Sequence, residues 1–168
     1  MHFQDITYMQ HALQEARRAL QEDELPVGAI VVLNGAVCGV GRRSHTGHSR
    51  FDHAEMIALR IALETDYKNA HDMTLYTTLE PCIMCFGAIL NSRIGRIVYA
   101  LEDPYGGAAS LKPHHLPVRH HAQFPVIERG VLRENARALF QIFFQTTKHK
   151  FWNNHSENPL VRTCLTDR

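Results

Sequence analysis

MTLYTTLEPCIMCFGAILNSRIGRIVY, residues 73–99, is the stretch that decides the fold. Met73 to Leu79 is short and rich in β-branched and aromatic residues, and it reads as a strand. Pro81 stands where the first turn of a helix tolerates proline, and the spacing predicts a helix from there to about Leu90. Ile94 to Tyr99 reads as the next strand, reached through a parallel crossover. Toward the N-terminus, Ala54 to Glu64 predicts a helix, with Met56, Ile57, Leu59, Arg60, Ile61 and Leu63 supplying its apolar face and flank. Before it, Val27–Leu33 and Ala36–Val40 flank Asn34-Gly35, a strong hairpin turn. Ile6, Met9, Ala12, Leu13, Ala16, Ala19 and Leu20 recur at helical spacing, and that helix ends near Glu22-Asp23-Glu24. Toward the C-terminus, Leu101–His121 is rich in Gly, Pro and His and reads as loop. Phe124–Ile127 reads as a fifth strand and Val131 to about Thr147 as a long helix. The tail after Trp152 is polar and carries no assigned element. This order implies an α/β fold, a three-layer α/β/α sandwich around a mixed five-stranded sheet. No repeat or linker divides it, so residues 1–168 are expected to form one domain, with a core of about 5–147 and a tail of about 148–168.

A chain of 168 residues with 45% hydrophobic content can bury roughly 70% of its unfolded surface and needs no covalent staples. The net charge is +1 and the pI about 7.8, so no global basic field points to a nucleic-acid partner. The first residues, Met1 to Asp5, lack a signal-peptide pattern. No apolar run approaches the ~20 residues a membrane span requires. The expected setting is the cytoplasm, without a membrane partner. Cysteines stay reduced there, and a close pair points to metal or redox chemistry.

Two short segments carry the chemistry: His53-Ala54-Glu55, and Pro81-Cys82-Ile83-Met84-Cys85. Each opens a predicted helix. Cys82 and Cys85, three apart, face one side of a first turn, where the free amides and the helix dipole favour thiolate. His53 completes a set of one nitrogen and two sulfurs, which suits one Zn2+ per chain. Three protein ligands leave the fourth tetrahedral position to water, the mark of a catalytic rather than a structural zinc. Glu55, on the same turn as His53, is placed to move protons without binding the metal. Taken singly, His-Ala-Glu marks an ordinary helix start, and Cys-x-x-Cys a redox pair or half of a structural zinc site. A structural site would need a fourth ligand from Cys38, Cys164 or a loop histidine. Cys38 falls in a predicted strand and Cys164 near the terminus, and both read as ordinary packed or exposed residues.

Together the motifs resemble those of the cytidine and deoxycytidylate deaminase superfamily, and within it the tRNA adenosine deaminases and their nucleobase- and nucleoside-deaminating relatives. The resemblance runs from about Tyr8 to Phe144. It is carried by Leu25-Pro26-Val27-Gly28-Ala29, His53-Ala54-Glu55, Thr78-Leu79-Glu80-Pro81-Cys82, Asn91-Ser92-Arg93-Ile94-Gly95-Arg96 and Gly106-Gly107-Ala108-Ala109-Ser110. It implies zinc-dependent hydrolytic removal of an exocyclic amine from a nucleobase. His53, Cys82 and Cys85 would be the ligands and Glu55 the proton shuttle. The Ala54 amide would meet the base edge, Val27 and Asp103 would lie near the substrate, and the chain would form a homodimer.

The departures from the family pattern face the substrate. Arg43 stands where the tRNA enzymes carry a nucleotide-contacting asparagine, and Ser49-Arg50-Phe51-Asp52 replaces their Asp-Pro-Thr-Ala. From Lys148 onward there are four Lys or Arg against two acids, not a densely basic helix. A small free base or nucleoside is therefore the favoured substrate, with a wobble-position tRNA adenosine as the alternative. Other classes are a partner subunit that has lost catalysis, against which Glu55 argues, and a thiol redox protein, which would leave His53 and Glu55 idle. Arg42, Arg43 and Arg50 flank the expected mouth, and His48 lies near it. Asp52 is a candidate helix cap or amine contact. His114, His115, His120 and His121 form two pairs in the long loop. Phe143, Phe144, Phe151 and Trp152 read as packing residues rather than a stacking platform.

Overall fold

In the computed structural model, residues 3–43, 50–66, 68–149, 152 and 157–166 are described. Helix α1 (Phe3–Gln21) leads into β1 (Gly28–Leu33) and β2 (Ala36–Arg42), which pair antiparallel. Asn34 and Gly35 both take positive φ, 50° and 81°, the geometry that a tight hairpin between right-twisting strands requires. The register slips between Val31 and Val32, and Cys38 is the extra residue of the resulting bulge. Helix α2 (Ala54–Asp66), β3 (Thr74–Leu79), α3 (Ile83–Ser92) and β4 (Arg96–Leu101) follow. Then come β5 (Val126–Arg129), α4 (Arg133–Thr146) and α5 (Pro159–Leu165).

The sheet order is β2-β1-β3-β4-β5, antiparallel between β1 and both its neighbours and parallel from β3 to β5. Helices α1 and α4 touch each other on one face, and α2 and α3 touch each other on the other. The expected sandwich with its mixed five-stranded sheet is the observed one.

Several boundaries differ from the sequence expectation. Strand β4 begins two residues late because Arg93, at φ 61°, ends α3 in the left-handed region and Ile94 N–H still bonds Ile89. Strand β5 also begins two residues late, since Phe124 turns inward against Phe86 at a ring separation of 5.9 Å. The polar tail holds a helix that the periodicity did not reveal. Asn158 caps α5 by accepting from Leu160 N–H at 2.9 Å, Pro159 opens its first turn, and Leu160, Val161 and Cys164 are buried. Gln141 and Arg137 of α4 donate to the carbonyls of Cys164, Thr163 and Thr166, which docks α5 on α4. The long loop contains two short 3-10 turns, Pro113–His115 and Val118–Gln123. Within them His115 accepts from the Lys112 amide and His121 meets the Leu116 carbonyl.

A buried ion pair ties α1 to the sheet. Asp5, 2% exposed, receives both Arg96 nitrogens of β4 at 2.7 and 2.9 Å and the Tyr76 hydroxyl of β3 at 2.9 Å. On the opposite face, a Cβ at Gly41 would lie 2.1 Å from the Ala54 carbonyl. Only glycine lets β2 press this closely on the first turn of α2, and that turn carries His53 and Glu55.

Candidate active site

The two motif segments meet at the ends of α2 and α3. The His53 carbonyl accepts from Ile57 N–H at 3.1 Å, so His53 itself occupies the N-cap of α2, and Asp52 precedes the cap. Cys82 holds the N-cap of α3, its carbonyl accepting from Phe86 N–H at 2.8 Å. Pro81 therefore lies just outside the helix rather than in its first turn. Cys85 falls in that turn and is buried.

These placements bring three donors together. His53 Nδ1 lies 3.5 Å from Cys82 Sγ and 3.5 Å from Cys85 Sγ, and the three donor atoms lie within 4.8 Å of one another. Tetrahedral zinc with Zn–N of about 2.0–2.1 Å and Zn–S of about 2.3 Å needs an N···S edge of roughly 3.5 Å. The donor set fits zinc in both chemistry and spacing. The close grouping of the two thiols with each other and with His53 holds the Cys82 pKa down at about 3 and pushes Cys85 well up. The hydrogen bond to Cys82 also raises His53. This is a concentrated, partly anionic donor set suited to a dication.

Glu55 is 3% exposed on the first turn of α2, and burial raises its carboxyl to about 7. A carboxyl so placed exchanges protons readily near neutral pH.

A cavity of about 820 Å³ opens over this cluster, within the size range of small-ligand sites. Of the residues expected at the site, Val27, Arg43, His53, Ala54, Glu55, Cys82 and Asp103 all line it, and Cys85 lies behind. Arg50 also lines it, whereas Arg42 turns away to Glu15 and Glu22. His48, Ser49 and Phe151 fall outside the described residues. Val27 is placed through its neighbours, because Thr78 Oγ1 accepts from Gly28 N–H at 3.1 Å and donates to the Pro26 carbonyl at 3.3 Å.

Sequence reasoning missed eight lining residues: Glu24, Leu25, Leu79, Glu80, Tyr105, Phe143, His149 and Trp152. Trp152 was read as packing, and it does pack against Phe143 and Phe144, at ring separations of 6.3 and 5.5 Å. It also forms cavity wall, as Phe143 does. His149 Nε2 meets the Asp23 carbonyl at 2.9 Å, which brings the end of the chain to the end of α1. No local pattern announces a contact across 126 positions. Glu80 was legible only as part of the Thr-Leu-Glu-Pro-Cys motif. Its carboxylate accepts from the amides of Asp103 at 3.1 Å and Ala109 at 3.0 Å, holding the loop after β4 against the cavity. Within that loop Asp103 accepts from Tyr105 N–H at 2.9 Å, and burial raises its pKa.

Comparison with known proteins agrees with this geometry. A family model described as the cytidine and deoxycytidylate deaminase zinc-binding region matches residues 3–101. The tRNA-specific adenosine deaminase of Streptococcus pyogenes serotype M18 is 35% identical over 158 residues, spanning 88% of this chain and 94% of that protein. A solved structure from a study of A-to-I editing by tRNA:A34 deaminases at the wobble position of transfer RNA superposes with a TM-score of 0.70. It is 36% identical, and the match covers 79% of this chain and 98% of that one. A guanine deaminase from Nitrosomonas europaea gives a TM-score of 0.67 at 26% identity, covering 82% and 83%.

Proposed function

The chain belongs to the cytidine and deoxycytidylate deaminase family, and we propose that it hydrolyses the exocyclic amine of a free base or nucleoside rather than of a tRNA. The observation that carries the substrate choice is the charge of the cavity wall. Among the described residues, Glu24, Glu55, Glu80 and Asp103 line it against the guanidiniums of Arg43 and Arg50, and Arg43 already faces Glu24 at 3.8 Å. A polyanion gains affinity through many cationic contacts, and this wall opposes them. A neutral heterocycle meets no such penalty.

In this reading His53, Cys82 and Cys85 hold the zinc. When bound, zinc supplies water acidic enough to attack at neutral pH. Val27, the Ala54 amide, Arg43 and Asp103 position the base. Glu55 takes one proton from the attacking water and delivers it to a ring nitrogen, then takes the second from the hydroxyl left on the ring carbon and delivers it to the departing amine. The new C–O bond replaces the C–N bond, and ammonia leaves. The buried carboxyl, with its pKa near 7, suits a group that must both take and give protons.

The tRNA reading is supported by a different observation, the 35% identity to a tRNA-specific adenosine deaminase over nearly the full length of both chains. Ammonia release, measured as kcat/KM on adenine, guanine, cytosine, their nucleosides and an anticodon stem-loop at physiological salt, separates the two. Turnover of a monomer with a poor stem-loop rate is expected. Efficient stem-loop deamination with no monomer turnover overturns the reading.

Among the described residues no helix is long and apolar enough to cross a membrane, and all four cysteines are free thiols. The free thiols suit the reducing cytoplasm that the sequence reading expects, which cell fractionation checks. The docking of α5 on α4 supports reading the chain as one domain. The homodimer that the family resemblance implies is checked by light scattering.

A further inference from the structure

Arg42 and Arg43 are neighbours in sequence with opposite fates. Arg42 reaches α1, its nitrogens 3.6 Å from Glu15 and 3.1 Å from Glu22. Arg43 lines the cavity, its backbone tied to β1 by a 3.2 Å bond from its N–H to the Val27 carbonyl. Its Nε lies 3.8 Å from a Glu24 carboxylate oxygen. That distance is an ion pair, too long for a hydrogen bond. It fixes where the guanidinium lies while leaving all five N–H donors uncommitted among the described residues.

Glu24 is aimed by the end of α1. Asp23 takes a left-handed φ of 55°, its N–H bonds the Leu20 carbonyl at 3.1 Å, and Glu24 N–H bonds the Ala19 carbonyl at 3.0 Å. This paired closure is a Schellman motif, and it sends the Glu24 side chain, 17% exposed, to the cavity wall. One patch of wall thus sets a fork of donors beside an acceptor.

An anion is a poor match for this patch. A phosphate on Arg43 would sit against the Glu24 carboxylate, in a cavity that already holds Glu55, Glu80 and Asp103. The patch instead matches a neutral edge in which a carbonyl oxygen adjoins a ring N–H, a lactam. We propose that Arg43 and Glu24 form a specificity-determining pair that reads such an edge, which makes amino-oxo bases the substrate class and disfavours adenine. The proposal rests on the base-or-nucleoside reading above. Arg43 donates to the ring carbonyl and Glu24 accepts from the adjacent ring N–H. Guanine presents C6=O beside N1–H with its amine on C2. Free cytosine presents C2=O beside N1–H with its amine on C4. In both, water oxygen joins the amine-bearing carbon, the C–N bond breaks and ammonia departs, with the lactam edge unchanged. Adenine has no ring carbonyl and leaves the Arg43 donors unpaired. Sites built to hydrogen-bond a group reject analogues lacking it by as much as ~10⁴–10⁵.

The test is kcat/KM on guanine, cytosine and adenine for the native protein, Arg43→Ala, Arg43→Lys, Glu24→Gln and Arg42→Ala. Zinc content and melting temperature of each variant report folding. The native enzyme is expected to prefer guanine or cytosine over adenine by at least about 10²-fold. Arg43→Ala and Glu24→Gln should bring that ratio below about ten, and Arg43→Lys, which keeps the charge without the fork, should fall between. Arg42→Ala should lower stability and leave the ratio intact. If Arg43→Ala does not fold, Arg43→Lys and Glu24→Gln decide. Adenine turned over as well as both lactam bases, or a preference that survives Arg43→Ala and Glu24→Gln, overturns the proposal. Adenine or adenosine as the best monomer sinks the proposal and leaves the base-or-nucleoside reading standing. Turnover of the stem-loop alone sinks both.

Discussion

Replacing Glu80 by glutamine tests whether the loop after β4 is held for function. The carboxylate makes two charge-assisted bonds, to Asp103 N–H at 3.1 Å and Ala109 N–H at 3.0 Å, from a side chain that is itself buried. Glutamine keeps one oxygen. Its amide nitrogen must face the other backbone N–H, donor against donor, so at least one bond is lost. A hydrogen bond to a charged group contributes about 1.5–3 kcal/mol. If that loss falls on the ordering of residues 103–109, which carry Asp103 and Tyr105 to the cavity wall, kcat/KM should drop by about tenfold to 150-fold at ~1.4 kcal/mol per decade. The loss should appear mainly in KM, because His53, Glu55 and the two cysteines lie outside the loop. Steady-state kinetics on the best monomeric substrate gives the rate effect. Hydrogen exchange across residues 102–110 gives the ordering, and elemental analysis checks that zinc is retained. A variant with kcat/KM within twofold of native and unchanged exchange would refute the positioning role.

Four further outcomes are expected. Cys82→Ala and Cys85→Ala should each lose the roughly one zinc per chain that three preset ligands hold, and full retention in both, by elemental analysis, rules out the ligand assignment. Glu55→Gln should keep zinc while turnover falls at least roughly 10²–10⁴-fold, the usual size of a general acid–base contribution; near-native turnover removes the shuttle role. Asp5→Ala strands the Arg96 guanidinium beside Tyr76 and should cost about 3–5 kcal/mol, read in chemical denaturation, with a loss under 1 kcal/mol counting against the network. Asp103→Asn should raise the melting temperature at pH 7 while lowering kcat/KM. Burial raises the Asp103 pKa in the folded state, so its ionised form costs stability above the unfolded carboxylate range, and the gain should vanish on acidification below about pH 4. An unchanged or lowered melting temperature at pH 7 contradicts this.

The elements that carry the metal site were legible because their signals are local. The Asn34-Gly35 turn, the β-rich run Met73–Leu79 and the helical spacing of α1 and α2 each lie within one short window of sequence. His53, Cys82 and Cys85 were identifiable because the donor chemistry of zinc restricts residue type and spacing. Helix α5 escaped because its Asn158-Pro159 start is followed by only two turns, too short for a periodic pattern. The cavity wall escaped for a different reason. Glu24, His149 and Trp152 come from the two ends of the chain, joined by the contact of His149 with the Asp23 carbonyl. Glu24 sat in what read as an acidic turn, and its direction depends on a left-handed Asp23 that no residue type announces. Arg42 and Arg43 were indistinguishable in sequence, since whether a guanidinium meets α1 or the cavity depends on the strand's final register.

This division of labour has a physical basis. The metal ligands and Glu55 sit on the first turns of α2 and α3, where close packing such as that of Gly41 on Ala54 tolerates little change. The other residues that line the cavity come instead from the end of α1, the segment after β2, the loop after β4 and the segment after α4, where single side chains change without disturbing the core. In the proposed reading, reaction and substrate are specified by different parts of the molecule. Identity of 35% to a tRNA-specific enzyme is compatible with a cavity whose wall, among the described residues, carries more carboxylates than guanidiniums, because at this identity most positions differ. Arg43 sits at that boundary. Its backbone is fixed by Val27 and its charge by Glu24, so in the proposed reading a change at this position alters the face shown to the base and leaves His53, Cys82 and Cys85 where they are.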